Sequence, residues 1–337
     1  MIVAKKAKGC WHSRHLFFDI ELQTRVQMIE KFMATKKGVQ AFPYSEPEFL
    51  ISTMDRHQDW AAIICLVGGG QEINTGEAGL PEWFDSLRRA FPDWDVYITP
   101  QLNDDEYRRG RDWEDIIAGL RVYEHEKLHL ATSIRSFRTP DLAAFVKAIL
   151  DVDTDATKEL YNRIYNRYPV VITRDLNKAK KWVREHCQGT TRYCLLASSG
   201  GLRLKPEGIF VKNEVDVANW FLNGKEDVRS SYALEDVVTE FDIQGLELDY
   251  SIVAWDADFR FHNGEWTYNT FKGDHWNRIA NEERKLYLKN AYRVLLTRAR
   301  QGMVIFVPEG SDTDNTRLKA FYDETYAYLK SAGIGEI

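Results

Sequence analysis

The stretch AAIICLV at residues 61–67, closed by Gly68-Gly69-Gly70, constrains the fold more than any other. A continuous apolar run ending at glycines is the mark of a strand buried on both faces of a parallel sheet. Shorter runs of the same kind recur at 170–173, 191–197, 251–255 and 303–307. Between them the apolar residues take helical spacing, which predicts helices at 22–37, 81–90, 175–187, 214–222, 282–299 and 315–330. Two further helices carry start signals: Ser45 as N-cap ahead of Glu46-Pro47-Glu48, and Thr139-Pro140-Asp141 ahead of a helix running to residue 150. Strands alternating with helices predict an α/β fold with parallel sheets, in two units meeting near 151–168. The boundaries read from the pattern are 1–165, 166–310 and a closing helix in 311–337.

Composition narrows the class. With 337 residues, 44% hydrophobic and 28% charged, the chain has material for two domains and a sizeable core. No apolar stretch approaches the roughly 18 residues of a membrane-spanning helix. The basic N-terminus lacks an apolar signal-peptide core, and Cys10, Cys65, Cys187 and Cys194 form no Cys-x-x-Cys pair. A reduced, cytoplasmic setting is the expectation. A formal charge of −6 excludes a uniformly basic nucleic-acid binder but leaves room for a local basic groove.

Three polar stretches are candidates for chemistry, because ligands of parallel α/β sheets bind beyond the carboxyl ends of the strands. They are Gly68-Gly69-Gly70-Gln71, the segment FDIQGLELD at 241–249, and Thr297-Arg298-Ala299-Arg300. Each has a plain structural reading: a glycine turn, a helix start, and a helix end whose arginines complement the dipole, with Gly302 as its stop.

In order along the chain the three resemble the later motifs of superfamily 1 helicases, with LATSIRS at 130–136 as a fourth match. The wording is closest to the bacterial Schlafen-group-3-like DNA/RNA helicase domain, through SEPEFLISTMDRH (45–57), LVGGGQEINTGEAG (66–79), DIQGLELD (242–249) and NAYRVLLTRAR (290–300). The resemblance covers residues 32–308 and implies two RecA-like P-loop NTPase lobes. It further implies ATP and Mg²⁺ as cofactors and single-stranded DNA or RNA as partner. Gln71, beside Gly70, would sense the γ-phosphate, and Arg135 and Arg298 would act as arginine fingers. Gln244, Gly245 and Glu247 would touch nucleotide and nucleic-acid backbone, with Arg300 in the same cleft.

Two parts of the family pattern are missing. No segment fits the phosphate-binding G-x-x-x-x-G-K-[ST]. The acid-ended strand that holds Mg²⁺ is matched only by LFFDIELQ at 16–23, where Asp19 is in place but Ile20 stands where a second acid belongs. The expectation is therefore a first lobe lacking its N-terminal part: a remnant or truncated helicase, binding ATP weakly and inactive alone, with the P-loop either encoded upstream or supplied by a partner chain. A non-hydrolysing nucleic-acid or protein-binding module is the alternative. His125-Glu126-Lys127-Leu128-His129 matches the zinc-peptidase pattern H-E-x-x-H, but its flanks read as a strand rather than the required helix. Trp255, at the end of a predicted strand, is a candidate for stacking on a base.

Overall fold

The computed structural model describes residues 1–6, 15–19, 44–57, 59–67, 79–108, 110–129 and 141–337. The expected helix at 22–37, the Gly68–Gln71 turn and the segment around Arg135 lie outside them. The chain divides into two compact units, Met1–Ala131 and Thr132–Ile337.

The first unit is a five-stranded sheet in the order β2-β3-β1-β4-β5, formed by β1 (Ile2–Lys6), β2 (His15–Asp19), β3 (Trp60–Leu66), β4 (Asp95–Ile98) and β5 (Arg121–Glu124). β2 runs parallel to β3 and β4 parallel to β5, but β1 lies between the two pairs and is antiparallel to both neighbours. The run at 61–67 does form a strand. Its coverage, however, is one-sided: Ala61, Ile63 and Cys65 are buried, whereas Ala62 and Ile64 are half-buried and Leu66 is exposed. The buried face packs on the helices Glu46–Asp55 and Gly79–Ala90, whose Ile51, Trp83, Phe84 and Leu87 share one core with it. Ser45 caps the first of these helices as expected, its hydroxyl accepting from Glu48 N at 3.3 Å.

The second unit has the fully parallel architecture that the pattern implies. Its sheet runs β14-β6-β13-β9-β7-β8, from β6 (Val170–Thr173), β7 (Tyr193–Ala197), β8 (Val237–Val238), β9 (Leu248–Ala254), β13 (Ala299–Phe306) and β14 (Gly335–Glu336). Every pairing in it is parallel. All residues of β6, β7 and β9 are buried, which is why β6, β7 and the second half of β9 read as apolar runs; Asp249 and Ser251 are buried polar residues within β9. The helix Leu176–His186 starts where Asp175 accepts from the amides of Asn177 and Lys178. A helix pair, Leu142–Leu150 and Thr154–Ile164, also packs in this unit: Tyr161 donates to Val170 O and Tyr328 to Ile149 O.

Between β9 and the helix Glu282–Leu296 lies an element with no counterpart in the sequence reading, an antiparallel meander of β10 (Phe259–His262), β11 (Glu265–Lys272) and β12 (His275–Arg278). Its first turn is Asn263-Gly264, with φ of 51° and 87°, the left-handed pair that a two-residue hairpin requires. The meander packs through Phe259 and Trp266 on Trp255, and through Phe261 on Tyr328 of the helix Ala320–Ser331.

The C-terminal motif region differs from expectation in a way that matters for function. The Glu282–Leu296 helix ends three residues early, and β13 begins at Ala299 instead of Met303. Arg298 therefore lies in the link and Arg300 in the strand, neither on a helix end. Gly302 is not a helix stop but a strand residue: a Cβ there would meet Pro169 O at 2.9 Å and Tyr250 at 3.0 Å. The close crossing of backbone, not a left-handed φ, is what needs glycine here.

Candidate functional site

The 244–247 segment precedes β9, which starts at Leu248. Arg298 likewise precedes β13. Both stretches thus lie at the amino end of the parallel sheet, opposite to the carboxyl end where the strand-end rule places them. They do come together there. Leu248 N donates to Arg298 O at 3.3 Å, and Leu248 is in register with Ala299.

The approach to β9 is a sequence of tight turns. Asp242 accepts from the amide and the hydroxyl of Thr239, both at 2.8 Å. Leu246 N then closes on Ile243 O at 3.0 Å, with Gly245 at φ 84° in the turn. Ile243 is fully buried and pins the turn, while Gly245 is exposed with no atom within 4 Å of where a Cβ would stand. Gln244 and Glu247 are half-buried on either side.

Facing this turn, β13 carries a bulge. Its register against β9 shifts between Ala299 and Gly302, so that Arg300 and Gln301 are accommodated where β9 offers only Asp249. The extra residue re-aims both side chains onto one carboxylate: Asp249 Oδ1 accepts from Arg300 at 2.9 Å and from Gln301 at 2.8 Å. Arg300 also lies 3.6 Å from Glu247, and its side chain remains 42% exposed. Arg298 is different in kind, buried to 1% exposure. Tyr168, whose phenol is pushed far above its ordinary value by burial, donates to Ala299 O at 3.2 Å and fixes the link from below.

Asp249 reaches the neighbouring strand as well. Its Oδ2 accepts from Arg192 N at 2.8 Å, and its own amide donates to Arg192 O at 2.9 Å. The Arg192 guanidinium in turn donates to Trp220 O, Asn223 O, Ser230 Oγ and Ser231 Oγ, and lies 4.5 Å over the Tyr232 ring. Arg192 is missed by the sequence reading. Asp249 closes the DIQGLELD stretch that carries the resemblance, but the resemblance gives roles only to Gln244, Gly245 and Glu247 in it.

Trp255 is not part of this edge. It follows β9 at the opposite, carboxyl end, is 1% exposed, and spends its indole N–H on Phe259 O. Packed against Trp266 and Tyr292, it presents no ring face to a base. Beside it lies a buried acid pair. Asp256 accepts from Tyr322 at 2.9 Å and from Arg203 N at 2.8 Å. Asp258 accepts from Tyr292 at 2.6 Å and from Ser198 at 2.7 Å. Burial, reinforced by Asp258, pushes Asp256 up to about 7, and burial raises Asp258 and the nearby Glu240. Every oxygen of the pair is occupied by donors of the protein itself, so its role is to join the meander, the β7 loop and the C-terminal helix.

In the first unit, Asp19 closes β2 in register with Leu66, at the carboxyl end of β3. A cavity of about 340 Å³ opens at that end of β3 and β4, with Val67, Thr99, Gln101, Lys127 and His129 on its walls. His125 and His129 flank a three-residue 3-10 turn, Glu126–Leu128, and His125 stacks on Tyr97, so these residues lack the helix on which H-E-x-x-H grips zinc. Among the described residues no group of three His, Cys, Asp or Glu is placed to hold a metal ion, and no helix is long and apolar enough to cross a membrane.

The family model described as "Schlafen group 3, DNA/RNA helicase domain" matches residues 28–309. Among curated proteins none matches the chain.

Proposed function

The chain belongs to the Schlafen group 3 DNA/RNA helicase domain family, and on that premise we propose that it engages single-stranded DNA or RNA as a superfamily-1-type helicase module. The observation that carries the proposal is the meeting of the 244–247 turn with Arg298 and Arg300 at one end of the second-unit sheet. An open glycine turn lets a phosphate approach the backbone, Gln244 can donate and accept, and a half-exposed guanidinium supplies charge. The family resemblance gives Arg298, with Gln71 and Arg135, the γ-phosphate role. Arg298 is 1% exposed, so that role requires the 298 link to open, whereas Arg300 is accessible as it stands.

ATP and Mg²⁺ are implied by the family. The described residues fit a phosphate in part. The cavity of the first unit is lined by Lys127, His129, Thr99 and Gln101, with the Thr99 hydroxyl already donating to the Gln101 side-chain oxygen. The sequence has no G-x-x-x-x-G-K-[ST] segment to add the amide cradle that supplies most phosphate contacts. Asp19 would hold Mg²⁺. When bound, ATP supplies the free energy of phosphoryl transfer; this chain's own part is to recognise strand and phosphate. Alone, then, it binds ATP weakly and acts as a non-hydrolysing strand-binding module, and a chain carrying a P-loop would complete the centre.

The test is phosphate release by the purified chain with ATP, Mg²⁺ and single-stranded DNA, alongside strand binding by fluorescence anisotropy. The expected result is salt-sensitive strand binding without turnover. Strand-stimulated turnover would overturn the inactivity, and absence of strand binding at low salt would overturn the nucleic-acid reading.

A further inference from the structure

The bulge in β13 poses a physical question. Arg300 is a half-exposed arginine on a strand whose register is already broken, a position where a long side chain ordinarily samples many rotamers. Here it does not, because one end of its guanidinium is tied to a carboxylate that is itself immobile. Asp249 has a side chain only 11% exposed, accepts from the backbone of Arg192 on one side and from Arg300 and Gln301 on the other, and donates its amide back to Arg192. It spans β7, β9 and β13 at the one end of the sheet where the family motifs meet. The contact to Glu247 is looser, at 3.6 Å between more exposed groups.

We propose that Asp249 is the positioning residue of this edge, clamping one side of the Arg300 guanidinium so that its other side stands ready for a phosphate of the nucleic-acid backbone. The division of labour is chemical. A planar guanidinium has donors on two edges; Asp249 takes Nη2 alone, Glu247 lies loosely by Nη1, and the side chain remains 42% exposed. Glu247, the weaker partner, is the group an incoming phosphate displaces. Asp249 stays, and the ordering of Arg300 is complete before the strand arrives. Gln301 fills the remaining capacity of Oδ1 and prevents the bulge from relaxing. The proposal rests on the strand-binding reading above for its ligand, but the clamp itself is a property of the free protein.

The experiment has two arms. In the first, the Arg300 Nη–H resonances are identified in the full chain, at low temperature, by their loss in R300A. The Nη2 protons that Asp249 accepts are expected to be protected from exchange in wild type and to exchange like a free guanidinium in D249N. Unchanged protection in D249N would overturn the clamp. If D249N does not fold, E247Q decides this arm: protection is expected to persist, and its loss would assign the hold to Glu247 and overturn the proposal. In the second arm, anisotropy with an oligothymidine strand is followed against salt for wild type, D249N, R300A and the double variant. R300A is expected to reduce the salt slope by about 0.7, one single-strand phosphate. D249N should show the same loss, and the double variant should be no worse than either. If Asp249 merely repels the strand, D249N will bind more tightly and the two changes will add, which overturns its role. A wild-type chain that binds no strand removes the ligand but leaves the first arm to judge the clamp.

Discussion

Replacing Asp256 by Asn should flatten the pH dependence of stability. Asp256 and Asp258 are buried together, and the groups facing them are Arg203 and Ser198 beyond β7, Tyr292 of the Glu282–Leu296 helix, Tyr322 of the C-terminal helix, and Arg260 of β10. None of the described hydrogen bonds or ion pairs to the two acids is a direct contact with a charged cationic group; Arg203 donates only its backbone amide. Burial therefore raises Asp256 from 3.8 to about 7. In the folded state the pair holds a proton that the unfolded chain releases, so stability falls as pH rises from about 4 to about 7 and levels off above. At about 1.4 kcal/mol per pH unit, the full span is roughly 4 kcal/mol, an upper figure because the pair titrates together. Asn mimics the protonated acid: its carbonyl can accept from Arg203 N while its amide donates to the Tyr322 hydroxyl. Urea unfolding at intervals from pH 5 to pH 8 reads the effect. Wild type should lose stability across the series while D256N changes less, so that the variant gains on wild type as pH rises. Parallel curves would refute the argument.

Other consequences are simpler to read. Gly302→Ala drives a methyl to 2.9 Å from Pro169 O, and should lower the urea midpoint by about 1–3 kcal/mol in stability with an unchanged far-ultraviolet spectrum. Tyr292→Phe removes the donor to Asp258 and the acceptor of Asp256 N. It should cost about 1–3 kcal/mol, measured at pH 8 where the pair is charged. Gly264→Val forces a β-branched residue to φ 87° in the meander turn and should destabilise the second unit, seen as earlier loss of protection in β10 and β11 by hydrogen exchange.

The central strands of the second unit are legible because coverage on both faces selects mostly apolar residues, as in Val170–Ile172 and Tyr193–Ala197, whereas β9 shows only its Ile252–Ala254 half because Asp249 and Ser251 interrupt the rest. The first unit misled at residues 61–67, because a small residue such as Ala62 and a half-covered Ile64 look the same in sequence as fully buried ones. The meander left a signal that was passed over: Asn263-Gly264 between Phe261 and Trp266 is the strongest short hairpin mark a sequence carries. Its strands mix Thr267, Asn269 and Lys272 with aromatics, so no apolar run stands out. Gly302 was misplaced because a glycine after an arginine-rich helix is also what a helix stop looks like, and only the crossing of Pro169 separates the two. The motif order marks 244–247, 298 and 300, which the structure brings to one edge. Both stretches precede their strands in the sequence reading as well as in the structure, so the strand-end rule does not apply to them, whichever residue begins β9 or β13. Asp256 and Asp258 stand beside Trp255 in a stretch whose position after a strand suggests nucleic-acid contact; the structure instead buries both acids among aromatics.

The most direct test of the strand-binding edge is photocrosslinking of the full chain to a single strand carrying 5-iodouracil, with the crosslinked peptides mapped by mass spectrometry. The account predicts crosslinks on the peptides that carry Gln244–Glu247 and Arg298–Gln301, competed by unlabelled strand. Crosslinks confined to the carboxyl end of the second-unit sheet, around Trp255 and Ser199, would contradict it.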